Sequence, residues 1–260
     1  MSTVKTIHTL FKNTINYTLF KDTNIIKTFY IYNESKELHS ENDIPAFIVV
    51  NDTSKKNYIK EWYLNGKLHR DNGPARITHS CYGFNIKEEW YYHGELHREN
   101  NQPTIYTKIY FDNANINSET WYLNGKLHRL DGPARVLYYQ YSNNVVEYET
   151  YYQYGKMHRS DGPCHIQYFN IDNNKVKKIK KVIYKENDKL RSNEPSVIYY
   201  SYNNSTCEEC YYENEQHTYT KVYENNNHVH TKVYVDGINT HVEFYENEHH
   251  THTVWYYLKL

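Results

Sequence analysis

Four groups of residues have types and spacings that could do chemistry. Cys207-Glu208-Glu209-Cys210 has the C-x-x-C spacing of zinc and redox sites, and the chain holds four cysteines, Cys81, Cys164, Cys207 and Cys210. Zinc sites usually need two such pairs, and thiols three residues apart on a strand point to opposite faces. Two ordinary thiols in a reducing compartment are the expectation. Near the C-terminus, His230, Glu243 and His252 supply two imidazoles and a carboxylate, a known set for zinc or non-haem iron. The competing reading is a charge-balancing row on an exposed sheet.

His69 with Asp71, His128 with Asp131 and His158 with Asp161 have the look of base–orienter dyads. Their recurrence argues for packing, because an active site is built once. No Ser or Cys nucleophile recurs at a fixed offset, and no G-x-S-x-G or phosphate-cradling glycine loop occurs. A non-enzymatic chain with no cofactor is expected. The stretch Lys175–Lys185 sets Lys178, Lys180 and Lys181 beside Tyr184. These residues could meet phosphates, phosphoinositide head groups or RNA, with Tyr184 stacking. The plain alternative is a strand whose lysines blunt a sheet edge.

The elements that position these groups follow from composition. The chain has 260 residues, 31 Tyr, 16 His, 9 Gly and 2 Met, with a formal net charge of -1. Its mean hydropathy is -0.95. Helix formers such as Ala and Leu are scarce, while Tyr, Val, Ile and Thr favour strands and Asn and Gly favour turns. An all-β fold is expected. No apolar run is long enough for a helical membrane span, the first twenty residues lack a signal-peptide core, and the neutral balance argues against nucleic acid.

Self-similarity sets the organisation. Trp62–Ile77, Trp121–Val136 and Tyr151–Ile166 are close copies, Trp90–Ile105 is a looser one, and two degraded copies begin at Phe29 and Tyr184. The period runs from 28 to 33 residues. Asn65-Gly66 reads as a two-residue hairpin loop. That register sets Tyr63 against Leu68, Trp62 against His69 and Glu61 against Arg70. The same register sets Trp90 against His97, Glu89 against Arg98, Trp121 against His128 and Tyr151 against His158. Each hairpin then carries an aromatic–imidazole cross-strand pair. Asp-Gly-Pro or Asn-Gly-Pro makes a second turn.

WYLNGKLHRDNGPA, WYLNGKLHRLDGPA and YYQYGKMHRSDGPC resemble MORN-variant repeats of the giant-virus and phage type. The likeness covers residues 29–200. It departs from the ordinary pattern by an extra residue between Trp and Gly, by Arg after His where Gly is usual, and by a longer period. The resemblance implies an elongated, largely single-layer antiparallel sheet used for scaffolding, dimerisation or lipid contact.

Beyond residue 205, Tyr212, Tyr223, Tyr234, Tyr245 and Tyr256 recur every 11 residues. With Tyr223 against His228, an unbroken ladder sets Val222 against Val229, Thr231 against Val242 and Phe244 against Thr251. It also places His230 and His252 on either side of Glu243. One face is then Val, Thr, Phe and Trp, and the other is rich in His.

The expected chain is an elongated antiparallel β-meander of hairpin repeats. Residues 1–28 form N-terminal cap strands, 29–204 six MORN-like repeats, and 205–260 a meander of 11-residue strand units. The expected function is a repeat scaffold or protein–protein interaction module, of viral structural or host-interaction type. Its partner would be another protein or a second copy, in the cytoplasm or, for a viral source, the host cytoplasm or virion. The alternative is a module binding glycans or anionic lipid head groups. A metal held by the C-terminal histidines is the remote one.

Overall fold

The computed structural model describes residues 7–11, 14–21, 24–51, 58–80, 85–111, 114–140, 145–171, 176–186, 188–191, 194–201 and 205–256. Every regular element among them is a strand. The ladders among these residues are all antiparallel, and none closes a barrel. Among these residues no helix is long and apolar enough to cross a membrane.

The chain divides into two compact units, Met1–Arg129 with Leu137–Asn144, and Leu130–Val136 with Val145–Leu260. In the first, each strand pairs with the next along one row: Ile7–Phe11, Thr14–Lys21, Asn24–Ile31, Phe47–Asn51, Tyr58–Glu61, Arg76–Ser80, Asn85–Glu89, Ile105–Phe111 and Ala114–Thr120. The row in the second runs Val145–Thr150, His165–Ile171, Val176–Ile183, Val197–Tyr200, Thr206–Glu213, Gln216–Glu224, Asn227–Val235, Ile238–Glu246 and His249–Trp255. Ile166, Val182 and Ile198 form a buried cluster in this second row, with Tyr168, Tyr184, Tyr200 and Cys207 packed against it.

Each repeat leaves the sheet to make a short ribbon and then returns. In the Trp62 repeat, Tyr63–Leu64 and Lys67–Leu68 pair across Asn65-Gly66, both with positive φ. This is the backbone that a two-residue loop needs to match strand twist. His69 N–H donates to the Trp62 carbonyl at 3.0 Å, as the register requires. The pairing stops there. Trp62 N–H turns to the Ala75 carbonyl at 2.8 Å, and the chain rejoins the sheet with Glu61 opposite Arg76. The expected Glu61–Arg70 and Glu89–Arg98 pairs are therefore corrected. Glu61 binds Arg76 at 2.6 Å, and Glu89 stands opposite Arg76 and Ile105. The first repeat is also re-registered. Ile31, not Phe29, takes the aromatic's place, because its N–H meets the Ala46 carbonyl and its carbonyl meets His39 N–H.

The C-terminal meander departs from an unbroken ladder at every turn. Tyr223 does oppose His228, but Val222 opposes His230, so Val229 is left unmatched. Thr218, Thr240 and Thr251 are skipped in the same way. These four β-bulges, 11 residues apart, reset the alternation of faces. Phe244 consequently stands between His230 and His252, and Glu243 between Thr231 and Thr253. The expected apolar face dissolves. Cys210, Thr220, Val222 and Val242 are buried, yet His230 and Lys232 share their side of the ladder.

Candidate interaction surface

An arginine covers the ring of five repeats, and in four of them it directly follows the histidine. Arg70 lies over the Trp62 ring at 3.8 Å, Arg98 over Trp90 at 3.9 Å, and Arg129 over Trp121 at 3.9 Å. Arg159 covers Tyr151 at 4.0 Å and Arg191 covers Tyr184 at 3.6 Å. Such contacts contribute from about 0.5 kcal/mol in the open to about 2 kcal/mol when desolvated. These guanidiniums also reach the carbonyl of the turn proline, Arg70 donating to Pro74, Arg98 to Pro103, Arg159 to Pro163 and Arg191 to Pro195. Ring, arginine and proline turn are thus one unit. The expected aromatic–imidazole pairs hold in the backbone, while arginine takes the ring face.

The residue after that proline is the position the sequence reading missed. Ala46, Ala75, Thr104, Ala134, Cys164 and Ser196 are all 0% exposed. Here the backbones of adjoining strands converge. Cys164, for example, donates its N–H to Ile183 O and accepts from Tyr151 N–H. Only a small side chain fits such a junction. The signal was visible as Pro followed by Ala, Thr, Cys or Ser in every copy.

Histidine joins one ribbon to the next. Gly94 N–H donates to the Leu68 carbonyl, and Gly125 N–H to Leu96. Beside these bonds, His69 Nδ1 accepts from His93 N–H at 3.2 Å, and His97 Nδ1 accepts from Asn124 N–H at 3.4 Å. With Nδ1 accepting, His69 donates from Nε2 to Asp71 at 3.1 Å. The ring also stacks on His93 and tilts against Tyr92 of the next ribbon. The His–Asp arrangement therefore holds a tautomer for stacking. In the Tyr151 repeat the aspartate serves the arginine instead, Asp161 binding Arg159 at 2.8 Å.

Between one repeat's second turn and the next repeat's ring lies an open cleft. In the first unit the turn Arg70–Pro74 faces Trp90, Tyr92, His97 and Arg98 across about 700 Å³. In the second, His158–Gly162 faces Tyr184, Lys185 and Arg191 across about 560 Å³. Ile44, Tyr92, Leu130 and Tyr154 stand exposed at ribbon and turn tips.

The other anticipated sites are not assembled. The bulges separate His230, Glu243 and His252 in register, and no group of three or more His, Cys, Asp or Glu side chains among the described residues is placed to hold a metal. Lys178, Lys180 and Lys181 lie on Val176–Ile183; Lys181 pairs on both sides, whereas Lys178 pairs with Phe169 alone among the described residues and Lys180 is skipped at a bulge. Lys181 sits over Tyr199 at 4.9 Å, and Arg191 already covers Tyr184. The side chains of Lys178 and Lys180 fall outside the described set. Cys207 and Cys210 share one strand. Cys207 packs on the Ile166 cluster and Cys210 receives the Thr220 hydroxyl. Burial raises both thiols, Cys207 to about 11, which leaves little thiolate at neutral pH. Cys81 falls outside the described residues.

The chain matches no known family model, and no curated protein is similar to it.

Proposed function

We propose that this chain is a non-enzymatic repeat scaffold, a module whose ribbons and clefts contact another protein or a second copy. The supporting observation is one construction used again and again. Ring, arginine and proline turn recur from the Trp62 repeat to the Tyr184 repeat, and large apolar side chains stand exposed at ribbon and turn tips. Packing alone gives no reason for Tyr154 at 65% or Leu130 at 72% exposure, and exposed apolar tips suit contact. MORN-like arrays of viral type would use such a surface for assembly or for meeting a host protein.

Light scattering of the full chain across a concentration range tests this reading. Self-association that weakens on Leu130→Ser with Tyr154→Ser supports it. A chain that stays monomeric and binds a glycan or anionic-lipid array, losing that binding when Lys178, Lys180 and Lys181 become Glu, overturns it in favour of head-group recognition.

A further inference from the structure

Three tryptophans occupy one position of the repeat, and two are closed off. Trp62 and Trp121 are 5% and 6% exposed. Each donates its indole N–H to a turn carbonyl of the preceding repeat, Trp62 to Asp43 at 2.9 Å and Trp121 to Asn101 at 3.1 Å. Both accepting residues have positive φ, 59° and 53°, which aims the carbonyl at the ring. The residue in this place for Trp90 is Asn72, and neither Asn72 nor Gly73 has positive φ. Trp90 is only partly buried, and its Nε1–H has no acceptor among the described residues.

The same turn leaves the arginine open. Arg70 holds the Asp43 carboxylate through Nε and Nη2, each at 2.7 Å. Arg129 holds Asn101 Oδ1 at 3.0 Å, Arg159 holds Asp161, and Arg191 holds Glu194 at 2.8 Å. Arg98 keeps the Trp90 ring and, through Nη1, the Pro103 carbonyl, but has no ion pair among the described residues. Arg98 and Trp90 both line the 700 Å³ cleft. Two hydrogen-bond donors that are satisfied elsewhere in the molecule here face the same open space.

We propose that this cleft binds a carboxylate from an acidic segment of a partner protein, with Arg98 and the Trp90 indole N–H donating to its oxygens; this rests on the interaction-module reading. A planar pair of oxygens suits a guanidinium fork beside a single N–H. Charge favours a monoanion over a dianion. Arg98 is the one lining arginine without an ion pair among the described residues, and Asp71 and Glu99 also line the cleft, so a dianionic phosphate meets more repulsion than a single carboxylate.

The test reads the indole N–H resonance of Trp90 in ¹⁵N-labelled full chain, assigned with Trp90→Phe. The probe is a capped peptide of alternating Glu and Ala, with its Gln counterpart and inorganic phosphate as controls. The Trp90 resonance should move with the Glu peptide only. Arg98→Gln should weaken binding roughly tenfold or more, and Arg129→Gln should leave it unchanged. No movement, an equal response to the Gln peptide, stronger binding of phosphate, or equal loss in Arg129→Gln overturns the proposal. The resonance is read in the unaltered chain, so a misfolded Arg98 variant does not remove the test. Failure here with self-association intact ends this inference alone, whereas loss of self-association bears on the scaffold reading.

Discussion

Single positions show where the repeat stores its constraints. Ala75 carries no side chain beyond Cβ at a junction with no exposed surface. Ala75→Leu should destabilise by about 1–3 kcal/mol through overpacking. Ala75→Ser should cost less than about 1 kcal/mol, since Ser196 fills the equivalent place with its hydroxyl on the Arg191 carbonyl. Urea unfolding of the two variants measures the gap, and equal costs would mean that the junction has room. Tyr154 poses the opposite problem. It occupies the first loop position with φ of 49°, where Asn65 and Asn124 stand in sibling repeats. A bulky residue in that region carries a steric cost of about 1 kcal/mol that Asn largely avoids. Tyr154→Asn should raise the urea midpoint while weakening self-association, a trade that fits strain retained at a contact point.

At the scale of strands and turns, local chemistry was legible and its interruption was not. Asn65-Gly66 announced its own loop, and Trp62–His69 followed by counting outward. Counting fails at Glu61, because the Pro74-Ala75 junction captures the Trp62 N–H and replaces the hairpin ladder with a sheet ladder. In the C-terminal meander, Tyr223 opposite His228 was readable from the turn, but the bulge beside it was not. Threonine or valine suits a bulge and an ordinary pair equally well, so composition gave no warning. The bulge has its own support. Thr218, Thr240 and Thr251 donate their hydroxyls to the carbonyls of Tyr211, Val233 and Phe244 at 3.0, 3.2 and 3.1 Å. Thr240→Val should cost about 0.5–1.5 kcal/mol, the usual contribution of one such bond. Val229 holds the fourth bulge without a hydroxyl, so Val229→Thr should recover part of that amount. Calorimetric melting of both variants decides the matter, and an unaffected Thr240→Val would show that register alone sets the bulge.

For the molecule as a whole, histidine gives the two kinds of repeat a common sensitivity to acid. In the C-terminal meander, His217 stacks between Tyr212 at 4.9 Å and Tyr234 at 4.1 Å, and His228 lies tilted between Tyr223 and Tyr245. Their Nε2 atoms meet Thr220 and Thr231 hydroxyls at 2.8 and 2.9 Å. Burial holds His217, His228 and His230 below the ordinary imidazole value, with Lys221 adding to the effect on His228 and Lys232 on His230. A depressed value means the unfolded chain binds protons more readily. The stabilisation is therefore complete above about pH 6.5 and is lost as pH falls through the folded-state values. Burial likewise lowers His128 and His165. Hydrogen exchange at pH 7.5 and pH 5, corrected for intrinsic rates, should show a loss in acid at the amides of residues 216–246, where His217, His228 and His230 lie. The strands Tyr58–Glu61, Arg76–Ser80 and Asn85–Glu89 hold Arg76 between Glu61 and Glu89 and carry none of these lowered imidazoles. Their amides should keep protection. Uniform loss across all these strands would instead mean that the whole chain opens as one cooperative body, and that the repeats do not divide its stability among themselves.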